Sequence, residues 1–117
     1  MHELSIIEGV VSTVTEAMAA HPDVRICGVR LKVGALSGVA EDALQFSYEI
    51  ATAGTMLAGS RLEVVRQPVK IFCTPCGEMR ELDGVQSFRC PVCGTPSYDI
   101  RQGRELEVES VEIEEAA

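Results

Sequence analysis

Four cysteines dominate the chemistry open to this chain. Cys73, Cys76, Cys90 and Cys93 follow the spacing C-x2-C-x13-C-x2-C, and each pair runs into a glycine, Gly77 and Gly94. Two intervening residues let a tight turn present both sulfurs to one side of a tetrahedral ion. Two such turns complete four soft ligands, which zinc favours. Glycine after the second cysteine permits positive φ, so backbone N–H groups can point at the thiolates. Two disulfides or a redox Cys-x-x-Cys would draw on the same residues, although a redox motif explains one pair and not two. A four-cysteine iron centre is also compatible with these ligands. Four protein ligands leave the metal no open position, so the spacing predicts a structural zinc site and argues against zinc catalysis. A hydrolytic reading finds no Ser–His or Cys–His constellation to rest on.

A second group of donors lies at the N-terminus. Met1-His2-Glu3 places a terminal amine, an imidazole, the backbone nitrogen between them and a carboxylate within three residues. Nitrogen-rich sites capable of planar geometry suit Ni(II) or Cu(II) better than magnesium or calcium. A solvated terminal histidine is the competing reading.

The composition narrows the partners. A formal net charge of −8 argues against nucleic acid, which requires clustered Lys and Arg. Hydrophobic residues at 46% permit a core, and with aromatics at only 4% that core must be aliphatic. Glu3 stands where a signal peptide would carry a cation, and no apolar run approaches the roughly 20 residues of a membrane span. The expected location is therefore a reducing cytoplasm, where paired cysteines read as metal ligands.

These donors need elements to hold them. Leu4, Ile7, Val11, Val14 and Met18 predict an N-terminal helix ending near His21-Pro22, with Ser5 and Glu8 at capping-box spacing. Val24 to Val33 alternates as a strand whose parity changes at Cys27-Gly28. A loop over Gly34–Val39 leads to a second helix, about Glu41 to Ala53, which Gly54 is placed to end. Leu62, Val64, Val69 and Ile71 predict a second strand interrupted at Pro68, and Leu106, Val108, Val111 and Ile113 a last one. The implied fold class is α+β: a small mixed or antiparallel three-stranded sheet with two helices, carrying an inserted four-cysteine zinc-ribbon-like module. Residues 1–70 and 101–117 would form one domain and 71–100 the zinc-binding module. His21 reads as a helix cap or solvated residue, Cys27 as a small core residue, and the acidic tail Glu112–Glu115 as a solvated end.

Several of these segments together resemble the HypA/HybF family: Met1-His2-Glu3-Leu4-Ser5, Gly34-Ala35-Leu36-Ser37-Gly38-Val39, the two C-x-x-C-G turns, and Gly103-Arg104-Glu105-Leu106-Glu107-Val108. The likeness spans nearly the whole chain. It implies a nickel metallochaperone with no catalytic turnover, acting in [NiFe] hydrogenase maturation. Nickel would be held at the N-terminus by His2, with Met1 and Glu3 contributing, and zinc by Cys73, Cys76, Cys90 and Cys93. A HypB-type GTPase and the hydrogenase large-subunit precursor would be the partners. Some members carry histidines beside the zinc cysteines, whereas this chain has only His2 and His21. The alternative reading is a zinc-ribbon interaction module that carries no nickel.

Overall fold

The computed structural model describes residues 2–115. In chain order it contains α1 (Glu3–Ala17), β1 (Val24–Gly34), a 3-10 turn (Ala35–Ser37), α2 (Glu41–Thr52), β2 (Arg61–Gln67), β3 (Lys70–Cys73), β4 (Glu78–Glu81), β5 (Ile100–Gln102) and β6 (Leu106–Glu115). Two three-stranded sheets form, in the orders β2-β1-β6 and β4-β3-β5. No helix is long and apolar enough to cross a membrane among the described residues.

The residues group into two compact units. One comprises the chain up to Leu31, Val39–Val65 and the chain from Glu107; the other comprises Lys32–Gly38 and Arg66–Leu106. In the first unit, α1 packs on α2. Its core includes Ile7, Val10 and Val14 of α1, Ile26, Val29 and Leu31 of β1, Leu44 and Tyr48 of α2, and Val39, Leu57 and Leu62. Full burial of each such aliphatic side chain is worth about 1.5–3 kcal/mol, which makes this core the unit's main favourable term.

The helices differ in detail from their sequence signature. α1 buries the 7-10-14 stripe and leaves Leu4 exposed. Its N-cap is His2, with no side-chain cap bond, so the Ser5–Glu8 capping box does not form. The helix stops at Ala17, and His21 lies in a following turn, donating its N–H to Met18 O at 2.9 Å. The dipole argument for His21 therefore has no helix end to act on. α2 ends close to expectation: Ala53 caps it and Gly54 takes φ +76°, a left-handed conformation that glycine adopts without a Cβ penalty.

Pro68 has a larger effect than an interruption. On its N-terminal side the strands belong to the β2-β1-β6 sheet; from Lys70 to Gln102 they belong to the other sheet, and β6 returns to the first. β3 is the centre of that second sheet, paired antiparallel with β4 (Ile71 opposite Arg80, Cys73 opposite Glu78) and with β5. The unit's core is small: Val69, Ile71 and Leu82, with Leu36, Phe88 and Ile100 packed partly against them. Within the same unit two backbones cross at close range. Gly34 N–H donates to Glu105 O at 2.7 Å and Leu36 N–H to Gly103 O at 2.8 Å. A Cβ at Gly34 would meet Gly103 O at 2.1 Å, so the crossing requires glycine at that position.

Candidate metal centre

The first cysteine pair sits on the β3–β4 hairpin. Cys73 ends β3, and the chain turns through Thr74-Pro75-Cys76-Gly77 into β4. Gly77 adopts φ +66° and donates to Cys73 O at 2.8 Å. The second pair repeats the device: Gly94 adopts φ +76° and donates to Cys90 O at 2.8 Å. This second turn is closed below by a short ladder. Cys90 N–H donates to Thr95 O at 3.0 Å, and Ser97 N–H to Phe88 O at 2.8 Å. Ser97 Oγ then donates to Phe72 O at 2.6 Å, which ties the turn to β3.

The two turns bring all four sulfurs within 4.8 Å of one another. Cys73 and Cys93 are 3.5 Å apart, and Cys76 and Cys90 are 3.9 Å apart. Sulfurs about 2.3 Å from a tetrahedral metal stand about 3.8 Å from each other. The cluster therefore has the size of a four-thiolate cage, and the donor set is one zinc accepts. The separations exceed the roughly 2 Å of a disulfide bond, and all four cysteines are free thiols.

The surroundings favour thiolates unevenly. The N–H groups of Cys93 and Val92, with Arg80 and the Cys73 thiol, draw the Cys90 thiol down to about 6 against the opposing effect of desolvation. Cys93 N–H lies 3.5 Å from Cys90 Sγ. Thr95 lowers Cys93, its hydroxyl 3.2 Å from the sulfur, with the Thr95 backbone next in effect. Cys73 receives an N–H from Cys76, but desolvation and the neighbouring thiols outweigh it and push Cys73 up to about 12. Crowded sulfurs thus oppose ionisation of Cys73 when no cation compensates them.

Two residues here escaped the sequence reading. Thr95 follows the second C-x-x-C-G turn and needed the folded turn to bring it back to Cys93. Arg80 lies on β4, opposite Ile71. Contacts with the Cys76 and Cys90 sulfurs hold its guanidinium protonated well above the usual arginine range. Its only sequence signal was a cation on the strand leaving the first turn.

The N-terminal donors are arranged differently. His2 is exposed and extended, φ −77° and ψ 139°, and its C=O accepts from Ile6 N–H at 3.3 Å. Glu3 is half-buried, and its Oε2 accepts from Ala40 N–H at 3.2 Å, at the N-cap of α2. The Glu3 carboxyl sits below the usual range because its own backbone N–H and that of Ala40 stabilise the anion. Met1 lies outside the described residues. Cys27 is half-buried, not a core residue, with Sγ 3.7 Å from Glu114 Oε2.

Comparison with known proteins agrees with this architecture. The chain is 42% identical over 115 residues to a hydrogenase maturation factor HypA of Roseiflexus sp. (strain RS-1), covering 98% of this chain and 94% of that one. It is 45% identical over 112 residues to a hydrogenase maturation factor HypA of Chloroflexus aurantiacus, covering 96% and 98%. The solution structure of the nickel metallochaperone HypA from Helicobacter pylori matches its fold with TM-score 0.69 at 20% identity, over 99% of this chain and 100% of that one. The family described as "Hydrogenase/urease nickel incorporation, metallochaperone, hypA" matches residues 1–113, and the chain belongs to this HypA family of nickel metallochaperones.

Proposed function

We propose that this chain carries Ni(II) at its N-terminus, on His2 with Met1 and Glu3, and keeps zinc on Cys73, Cys76, Cys90 and Cys93 as a structural ion. The observation that carries the nickel assignment is the placement of His2. It is exposed, it precedes the first turn of α1, and the N–H groups there have no intrahelical acceptor. A metal could take the His2 backbone nitrogen and imidazole without breaking a helix bond. Glu3 is different: its carboxylate already serves Ala40, so its use as a ligand would exchange one partner for another.

On this reading, the sequence bounds 1–70 and 101–117 mark the nickel-binding domain and 71–100 the zinc-binding module, although Lys32–Gly38, 66–70 and 101–106 group with the cysteine-bearing unit. The protein acts in the cytoplasm, without catalytic turnover. A HypB-type GTPase assists it, and the [NiFe] hydrogenase large-subunit precursor receives the nickel. Family membership and the acidic, scattered-cation composition support this assignment. Selectivity for nickel over copper cannot come from raw affinity at nitrogen ligands, so docking to the correct recipient supplies it.

The test is a Ni(II) titration of untagged protein, repeated with His2→Ala and with a short N-terminal extension. Both changes should abolish the tight equivalent. Nickel affinity intact in both variants would overturn the terminal site and leave the reading of a zinc-ribbon interaction module.

A further inference from the structure

Arg80 is a cation placed against the cysteine sulfurs, whereas Arg89 bonds the second turn at Gly94 O, 3.2 Å away; the setting of Arg80 is hard to explain without an anion there. Its side chain is 21% exposed, and Nε is buried with no hydrogen-bond partner. Nη1 meets Glu78 Oε2 at 2.9 Å. Glu78 and Arg80 alternate along β4 opposite Cys73 and Ile71, so both extend from the face of the sheet that carries the Cys73 side chain. The guanidinium contacts the sulfurs of Cys76 and Cys90, one from each turn.

A divalent ion held by four thiolates carries a net charge of about −2. Confining that charge beside buried side chains is costly unless donors or a cation compensate it. Backbone N–H groups supply part of the compensation, and Arg80 brings a full positive charge. An orphaned, desolvated donor and a carboxylate clamp on the same guanidinium are what a fixed outer-sphere partner requires.

We propose that Arg80, oriented by Glu78, is a positioning and charge-compensating residue of the tetrathiolate centre, bonding to Cys76 and Cys90 across the two turns. This rests on the reading of that cluster as a metal site. The guanidinium then does two things: it offsets the excess negative charge, and it ties one turn to the other.

The experiment uses the full chain loaded with Zn(II) or with Co(II). Arg80→Gln should bind zinc about 10–100-fold more weakly in competition with a chromophoric chelator. Its Co(II) thiolate charge-transfer band should shift, and iodoacetamide should alkylate the loaded cysteines faster, because sulfurs stripped of donors are better nucleophiles. Arg80→Lys should restore the affinity in part but not the band, since it returns charge without the fork. If Arg80→Gln does not fold, Glu78→Gln replaces it and should show the same changes to a smaller degree. Wild-type protein binding no zinc would overturn the metal reading and this assignment with it. One equivalent bound by wild type and by the folded variant with equal affinity, band and alkylation rate would overturn the role of Arg80 alone.

Discussion

Gly34→Ala should be among the most damaging small changes available to the unit that holds the cysteines. The added Cβ would fall 2.1 Å from Gly103 O, 2.2 Å from Gly103 C and 2.6 Å from Arg104 N, all backbone atoms. Ordinary contact needs 3.4 Å or more, so the two strands must part by about 1 Å. That separation stretches the Gly34–Glu105 and Leu36–Gly103 hydrogen bonds, now 2.7 and 2.8 Å. It also draws Gly103 away from the Val69 and Leu36 side chains, which lie 3.3 and 3.6 Å from where a Cβ on Gly103 would stand. Two backbone bonds lost at about 1 kcal/mol each, with the repacking strain of an overfilled contact, give a loss of about 3–5 kcal/mol. Urea unfolding of the zinc-loaded protein at fixed free zinc measures this, since bound metal itself adds stability. Gly38→Ala is the control: φ is +72° but nothing lies within 4 Å, so it should cost only about 1–2 kcal/mol. Equal midpoints for Gly34→Ala and wild type would refute the crossing. Equal losses for the two variants would refute the steric part of the reasoning.

Gly9→Ala should do the opposite, because Gly9 is exposed within α1 with nothing within 4 Å of its Cβ position; a gain of about 0.5–1 kcal/mol is expected in the same assay. Chelating the zinc should collapse hydrogen-exchange protection over 73–98, since from Asp83 to Asp99 only Cys90 is fully buried and little else holds that stretch; retained protection would contradict it. The Glu3 carboxyl is depressed in the folded state, so its stabilisation is present above the unfolded value of about 4.3 and is lost as pH falls through the folded one. Glu3→Gln should accordingly flatten the acid limb of the pH–stability curve, followed by helical circular dichroism, and leave the shape of the curve near neutrality nearly unchanged.

What could be read beforehand was whatever depended on spacing. The two C-x-x-C-G turns set the positions of their own sulfurs, and the positive φ at Gly77 and Gly94 follows from the residue type. Gly54 ends α2 for the same reason. The α1 stripe was ambiguous, because 4-7-11 and 7-10-14 both fit a helical period, and packing on α2 decides between them. The second sheet left little periodic signal. β4 and β5 have four and three residues, and β4 shows no hydrophobic alternation, so their register comes from β3 and the turns. Arg80 and Thr95 could not be assigned for a related reason: their importance lies in contacts that exist only once both turns have closed.

The two candidate metal sites differ in what the polypeptide loses when the ion leaves. At the cysteines, four acceptors lie within 4.8 Å, and their ionised forms repel one another with Arg80 as counter-charge. The small core of Val69, Ile71 and Leu82 reaches the second turn only through the partly buried Phe88, so beyond that contact, the Ser97–Phe72 hydrogen bond and Arg80, the metal cation is what joins the two turns, and its departure costs structure. At the N-terminus the fold needs no metal. His2 already caps α1 through its carbonyl, and Glu3 already satisfies Ala40. Nothing in the first unit's core depends on the imidazole, which stands in solvent. A bound ion there can therefore be surrendered without unfolding the carrier, whereas the cysteine cage resists exchange because release and local unfolding are the same event. A transferable cargo belongs at the first kind of site and a permanent ion at the second.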